Sequence, residues 1–196
     1  MRNLIAALSC LMSVGAFGQQ LMPDILVHLN NYTVNYSQIY LQPLEVWYKV
    51  KCPYDNPLLK ELKFTQYLGD SLGIITSKLS HYKHNDWDHG HMAPSASLDC
   101  NCEDKKETFT YLNCALQNDS LNQKVWKYLE YKERDLAKDH NVFVYIKVEF
   151  KNSDTINGAR IPSGFNKTLI INGDSTSYYF PNEKPCSKNL EHYKID

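Results

Sequence analysis

Between His81 and Pro94 the chain reads His-Tyr-Lys-His-Asn-Asp-Trp-Asp-His-Gly-His-Met-Ala-Pro, which gathers His81, His84, His89 and His91, four of its seven histidines, with Asp86 and Asp88. Three readings suit such a stretch. It can be a solvated polar loop. It can be a transition-metal site, because neutral imidazole is a common ligand and His84 and His89 lie close to two carboxylates. It can also present a general base: neutral imidazole takes a proton near pH 7, Gly90 lets backbone and substrate approach closely, and Pro94 stiffens the exit. A base of this kind must be uncharged, so with an ordinary imidazole pKa of about 6.5 its rate is expected to fall below that pH. The residues of this stretch leave all three open.

A second group lies downstream: Asn113-Cys114-Ala115-Leu116-Gln117, then Asn122, Trp126, Glu130 and Arg134. The spacing predicts a helix from about Ser120 to Asp139, capped by Ser120 or Asp119, with Leu121, Val125, Leu129 and Leu136 as its buried stripe. At roughly 100° per residue, Asn122, Glu130 and Arg134 fall at about 0°, 80° and 120° around the axis and share one polar flank. An ordinary i,i+4 salt bridge between Glu130 and Arg134 is the plain alternative. Arginine is scarce, with only Arg2, Arg134 and Arg160 in the chain, so Arg134 needs a reason.

Together the two groups resemble the DNA/RNA non-specific endonuclease family. Asp88-His89-Gly90-His91-Met92-Ala93-Pro94 is similar to that family's D-R-G-H-x-A-P signature. Asn113, Gln117, Asn122, Trp126, Leu129-Glu130 and Arg134 follow its N-x-x-P-Q…N…W…L-E…R stretch in order and spacing, and Ile161-Pro162-Ser163-Gly164-Phe165-Asn166-Lys167 resembles I-P-x-x-[YF]-W-K. Three blocks in the right order make the resemblance specific. There are departures: His89 stands for an Arg, Leu116 for a Pro, Asn166 for a Trp. No Arg occurs between residues 19 and 88, so Lys60, Lys63 or Lys83 would have to take a second phosphate-gripping role, without the bidentate fork of a guanidinium.

The resemblance implies a ββα-metal (His-Me finger) nuclease fold of the α+β class, with an antiparallel central sheet and one long helix next to the active site. It implies hydrolysis of DNA and RNA to 5′-phosphate products with Mg²⁺, Mn²⁺ being able to substitute. His91 would deprotonate water and Asn122 would be the lone direct metal ligand. Glu130 would accept from a metal-held water, and Arg134, with His89, would hold the phosphate. Asn113 would orient His91 or a ligand water, and Asp88 would fix the hairpin that presents His91. Reading only phosphate and sugar explains a lack of base specificity. Two other functions compete: a weakened nuclease-fold nucleic-acid-binding protein, and an extracytoplasmic His-rich metal-binding protein.

The surrounding chain supplies the frame. Residues 44–50 and 143–150 read as strands, the second central because it is nearly continuously apolar; residues 168–171 and 177–180 read as a strand pair around Asn172-Gly173-Asp174. No repeat or linker divides residues 19–196, which are read as a single domain. Residues 1–18, with Arg2, an apolar run and Ala16-Phe17-Gly18, have the parts of a secretory signal cleaved before Gln19. Of the remaining cysteines, Cys52, Cys100, Cys102, Cys114 and Cys186, an odd one must be free or paired to another chain, and Cys100-x-Cys102 lacks the spacer of a zinc knuckle. Asn31, Asn35, Asn118 and Asn166 open N-x-[ST] triplets. A glycan at Asn118 would obstruct the site, which favours a bacterial periplasm or exterior over a glycosylating secretory route. The net charge of −1 argues against broad electrostatic coating of nucleic acid or membrane, and no apolar run is long enough to span a bilayer. No protein partner is evident, and the chain is expected to be a monomer or a homodimer.

Overall fold

Alternation of inward apolar and outward polar side chains builds the main element, a seven-stranded antiparallel sheet, in the computed structural model, which describes residues 24–53 and 62–195. The signal segment, Cys10 and Lys60 lie outside these residues. The strands are β1 (Ile25–His28), β2 (Tyr32–Ser37), β3 (Gln42–Lys49), β6 (Val142–Glu149), β9 (Gly164–Ile171), β10 (Asp174–Pro181) and β11 (Lys194–Ile195), adjacent in that order. Two short hairpins stand apart: β4 (Trp87–His91) with β5 (Cys114–Asn118), and β7 (Thr155–Ile156) with β8 (Ala159–Arg160). Between them lie helices α1 (Tyr67–Ser71), α2 (Cys102–Thr108), α3 (Asp119–Leu121) and α4 (Lys127–Leu136).

The expected strand 143–150 is β6, and it is central. It is not apolar on both faces, however: Val142, Val144, Ile146 and Val148 are buried while Phe143 and Lys147 are exposed. One face of the sheet is therefore packed and the other open. The β9–β10 hairpin turns through Asn172 and Gly173, with φ of 55° and 96°, the two left-handed residues that a type I′ turn requires. Strands β1 and β2 are not among those expected from the sequence, although β2 alternates buried Tyr32, Val34 and Tyr36 with partly exposed Thr33 and Asn35.

The helix expected from about Ser120 to Asp139 is present, with two differences. Its cap is Asn118, whose Oδ1 accepts from the Leu121 amide, rather than Ser120 or Asp119. Between α3 and α4 the chain passes through a π-helical stretch, Asn122–Trp126, whose wider turn shifts the bearings of residues beyond it. The single polar flank drawn for Asn122, Glu130 and Arg134 on uniform α geometry is therefore interrupted. Leu121, Val125 and Leu129 are buried against the sheet, as the stripe predicts, and Leu136 is partly so. Trp126 packs edge-on against Phe165 and Phe180.

The core also holds charge. Glu133 and Lys167 are both fully buried and their ion pair closes at 3.0 Å. Tyr48 Oη donates to Glu133 at 3.0 Å and Ser97 Oγ at 2.8 Å, and the ammonium of Lys167 lies over the Trp126 ring. One carboxylate thus joins β3, α4, β9 and the loop that follows β4. Removing one partner of such a pair leaves the other charged and dry. Glu133→Ala is expected to lower the unfolding free energy by about 3–5 kcal/mol in a urea titration, and a loss under about 1 kcal/mol would show that the pair does not hold the core.

Candidate active site

The β4–β5 hairpin carries the histidine motif in register, with His91 opposite Cys114, Gly90 opposite Ala115 and Asp88 opposite Gln117. Gly90 is required by its neighbour: a Cβ there would lie 2.6 Å from that of Gln117. Beyond the strand, buried Asn113 clamps the chain. Its Oδ1 accepts from the Ala93 amide at 2.8 Å, its Nδ2 donates to the Ala93 and Thr108 carbonyls, and its carbonyl accepts from Met92. Asn113 thus holds the backbone after His91 rather than the imidazole itself. A disulfide between Cys52 and Cys100 ties the same loop to the end of β3, where Lys51 and Cys52 also donate to the Ser97 carbonyl. Cys102, Cys114 and Cys186 carry free thiols, so Cys100-x-Cys102 is not a metal pair.

Hairpin and helix meet through Asp88. Its Oδ2 accepts from Asn122 Nδ2 at 3.1 Å and from Gln123 Nε2 at 2.8 Å. Asp88 therefore fixes the hairpin to the helix rather than to itself. Asp88, His89, His91 and Asn122 line one cleft of about 480 Å³, together with Lys63, so the imidazole and the amide face the same space. Of the lysines considered in place of the upstream Arg, Lys63 is thus at the cleft; Lys83 is not among its lining residues.

The walls are aromatic. Phe64 lies 4.6 Å from the His91 ring and Phe109 lies 4.8 Å away edge-on, while His89 is sandwiched between Phe64 and Tyr82 at 5.1 and 4.2 Å. His91 Nε2 is buried and has no hydrogen-bond partner among the described residues. Burial first, then the neighbouring His89 and Lys105 charges, lowers its pKa from 6.5 to about 3. Burial thus favours the neutral imidazole over the imidazolium. Burial likewise lowers His89, against the pull of Asp88.

Glu130 and Arg134 are not among the residues lining the cleft. Burial raises Glu130 to about 7, with the Glu133 charge adding to it and Lys167 and Arg134 opposing. Arg134 is largely buried, with its guanidinium 4.9 Å over the Tyr131 ring. It acts electrostatically on Asp99, which is paired at 3.6 Å with Lys105, the lysine whose charge reaches His91. Sequence reasoning missed Glu133, Lys167, Lys105, Asp99 and Phe64. The first two had a signal: Glu133 continues the four-residue spacing Leu121, Val125, Leu129, and Lys167 takes an inward position between Phe165 and Leu169.

Asn122, with Nδ2 engaged by Asp88, keeps its amide oxygen for a ligand, and the Asp88 carboxylate is adjacent. Oxygen donors beside a neutral imidazole suit a hard divalent cation that retains most of its water. Among the described residues no three His, Cys, Asp or Glu side chains are placed to hold a metal, so the histidines do not form a multi-ligand transition-metal site; His81, for one, is buried with Nδ1 accepting from the Lys78 amide.

An antiparallel sheet, a hairpin ending in His91 and a following helix that carries Asn122 together give the ββα-metal nuclease fold. The DNA/RNA non-specific endonuclease family model matches residues 27–196, and the chain belongs to that family. Its fold is similar to that in a crystal structure of an EndoG/EndoGI complex, determined to explain EndoG inhibition. The TM-score is 0.79 with 20% identity over 90% of this chain and 82% of the other. No curated protein sequence matches the chain.

The His91 environment makes a claim about stability. Unfolded, the imidazole takes a proton near pH 6.5; folded, it does so only near 3, so stability is lost as pH falls between those values. Wild-type protein is expected to lose about 2–3 kcal/mol more than His91→Phe on going from pH 7 to pH 4.5. Equal losses in paired urea titrations would show that His91 is not held neutral by the fold.

Proposed function

We propose that the protein is a metal-dependent endonuclease that hydrolyses phosphodiester bonds of DNA and RNA without base specificity, leaving 5′ phosphates. The observation that carries this reading is the shared cleft: His91 and Asn122 line one space, fixed to each other through Asp88, in a chain of the non-specific endonuclease family.

His91 takes the proton of the attacking water. For that it must be neutral, which its burial ensures, and it must be reached, which requires the Phe64 ring to yield as substrate enters. A divalent cation, Mg²⁺ or Mn²⁺, held by the Asn122 amide oxygen would supply charge for the leaving 3′ oxygen. Asp88 keeps that amide in place. Lys63 offers a positive charge at the cleft where the family's first arginine is absent, and His89, flat between two rings, contributes a polar edge. Arg134 and Glu130, which do not line the cleft, act on it through charge: the guanidinium bears on Glu130 and on Asp99, the partner of Lys105. Contacts limited to phosphate, sugar and cation leave base identity unread.

Export is part of the same proposal. The segment 1–18 has the pattern of a secretory signal, and the Cys52–Cys100 disulfide suits an oxidising compartment such as a bacterial periplasm or the exterior.

Two measurements test the enzyme reading. His91→Ala is expected to abolish Mg²⁺-dependent cleavage of plasmid and of RNA with the circular dichroism spectrum intact, and Asn122→Ala to lower the rate by about 10²-fold or more and raise the Mg²⁺ requirement. Near-normal cleavage by either variant would remove that residue from its role. For the pH profile, burial raises Glu130 to about 7, so kcat/KM is expected to fall as pH drops through about 7 if its carboxylate form supports catalysis. Glu130→Gln should erase that limb; its survival would mean that another group sets it.

A further inference from the structure

The open face of the sheet carries more aromatic surface than a solvated face needs. Trp47 on β3 and Tyr145 on β6 are cross-strand partners whose rings stack at 5.4 Å, 25° from parallel. Beside them Phe143 is 48% exposed, with Lys49 Nζ 5.5 Å over its ring. Lys51 follows the end of the same strand and donates to two neutral oxygens, the Asn30 carbonyl and Asn31 Oδ1. These side chains line a groove of about 550 Å³ whose lining includes two lysines and no carboxylate. The acids near it are engaged: Glu45 by Tyr145 Oη and Asn35, and Glu107 by the Asn30 and Asn31 amides and the Asn31 side chain.

We propose that this groove is a second, non-catalytic surface for single-stranded nucleic acid, with bases stacked on Trp47, Tyr145 and Phe143 and the phosphate chain running beside Lys49 and Lys51. Flat rings offered beside cations suit a flexible polyanion with flat bases, because stacking accepts every base and the lysines attract each phosphate. A second copy of the chain suits the groove less well: a two-fold contact there would press Lys49 and Lys51 against their own counterparts with no acid in the lining to offset them. A duplex, whose bases are already stacked, cannot use the rings. The inference deepens the nuclease reading by giving the enzyme a hold on single strands away from His91, which lies by the hairpin and helix rather than on this face.

The test uses the full exported chain carrying His91→Ala, so that binding is read without cleavage. Fluorescence anisotropy of labelled oligo(dT) is measured with and without Trp47→Ala, and separately with Lys49→Glu, an exposed change that leaves the packed face untouched. Each change is expected to weaken oligo(dT) binding by about tenfold, and Lys49→Glu also to flatten its salt dependence, with duplex binding much less affected. With His91 intact, neither change should alter turnover of bis(p-nitrophenyl) phosphate, a substrate too small to reach the groove. Unchanged oligo(dT) affinity in Lys49→Glu would overturn the proposal even if Trp47→Ala failed to fold. So would a dimer in analytical ultracentrifugation that Lys49→Glu dissociates or tightens, since that would make a second copy the occupant. Because binding is scored in a variant that cannot cleave, failure here is separable from failure of the nuclease reading, which would appear as loss of wild-type cleavage instead.

Discussion

A single carboxylate oxygen, Asp88 Oδ2, accepts from the amides of two successive residues at the start of the helix, Asn122 and Gln123. Everything proposed for the site depends on that joint. The hairpin that presents His91 is a two-stranded ribbon outside the main sheet, and such a ribbon has little stability of its own. Strand β5 runs straight into the helix and the Asp119 amide donates to the Asp86 carbonyl, so hairpin and helix are already joined at that end; Asp88 adds the side-chain tie that fixes the Asn122 amide beside the strand carrying His91. Positioning is where much of an enzyme's rate comes from, so a joint of this kind matters more to function than its two hydrogen bonds matter to stability.

The rest of the molecule supports both sides of the joint. On the hairpin side, Asn113 clamps Met92 and Ala93, Gln117 packs into the space that Gly90 leaves, and the Cys52–Cys100 disulfide closes the following loop against β3. On the helix side, Asn118 caps the first turn and Trp126 anchors the π-helical stretch to the sheet. Glu133 reaches both sides, accepting from Ser97 in the hairpin's exit loop while paired to Lys167 in the central sheet. The aromatic walls act differently. By drying His91 they favour its neutral form over the imidazolium.

Much of this was legible in the residues, and what was not has identifiable causes. The motif from Asp88 to Pro94 and the spacing from Asn113 to Arg134 pointed to the fold and to the pairing of His91 with Asn122, because those residues serve chemistry directly. Uniform helical angles do not carry across the π-helical stretch between Asn122 and Glu130, since five residues of π-helix cannot be read from propensity. The burial of His91 by Phe64 and Phe109 is a tertiary fact; nothing in the motif states which rings fold over it. Glu133 and Lys167 were hidden by the expectation that charges face water, although each sits where the apolar period demands an inward side chain. The cysteine count announced a free thiol but not the Cys52–Cys100 pairing, which joins segments 48 residues apart.

The most direct measurement is a crystal of His91→Ala soaked with Mn²⁺ and a short oligonucleotide, with the anomalous signal used to place the metal. The expected result is one Mn²⁺ on the Asn122 amide oxygen, a phosphate against it, and the vacated imidazole position on the far side of that phosphate. Manganese bound at any place remote from Asn122, or a phosphate that does not lie between the two residues, would contradict the assignment of the site.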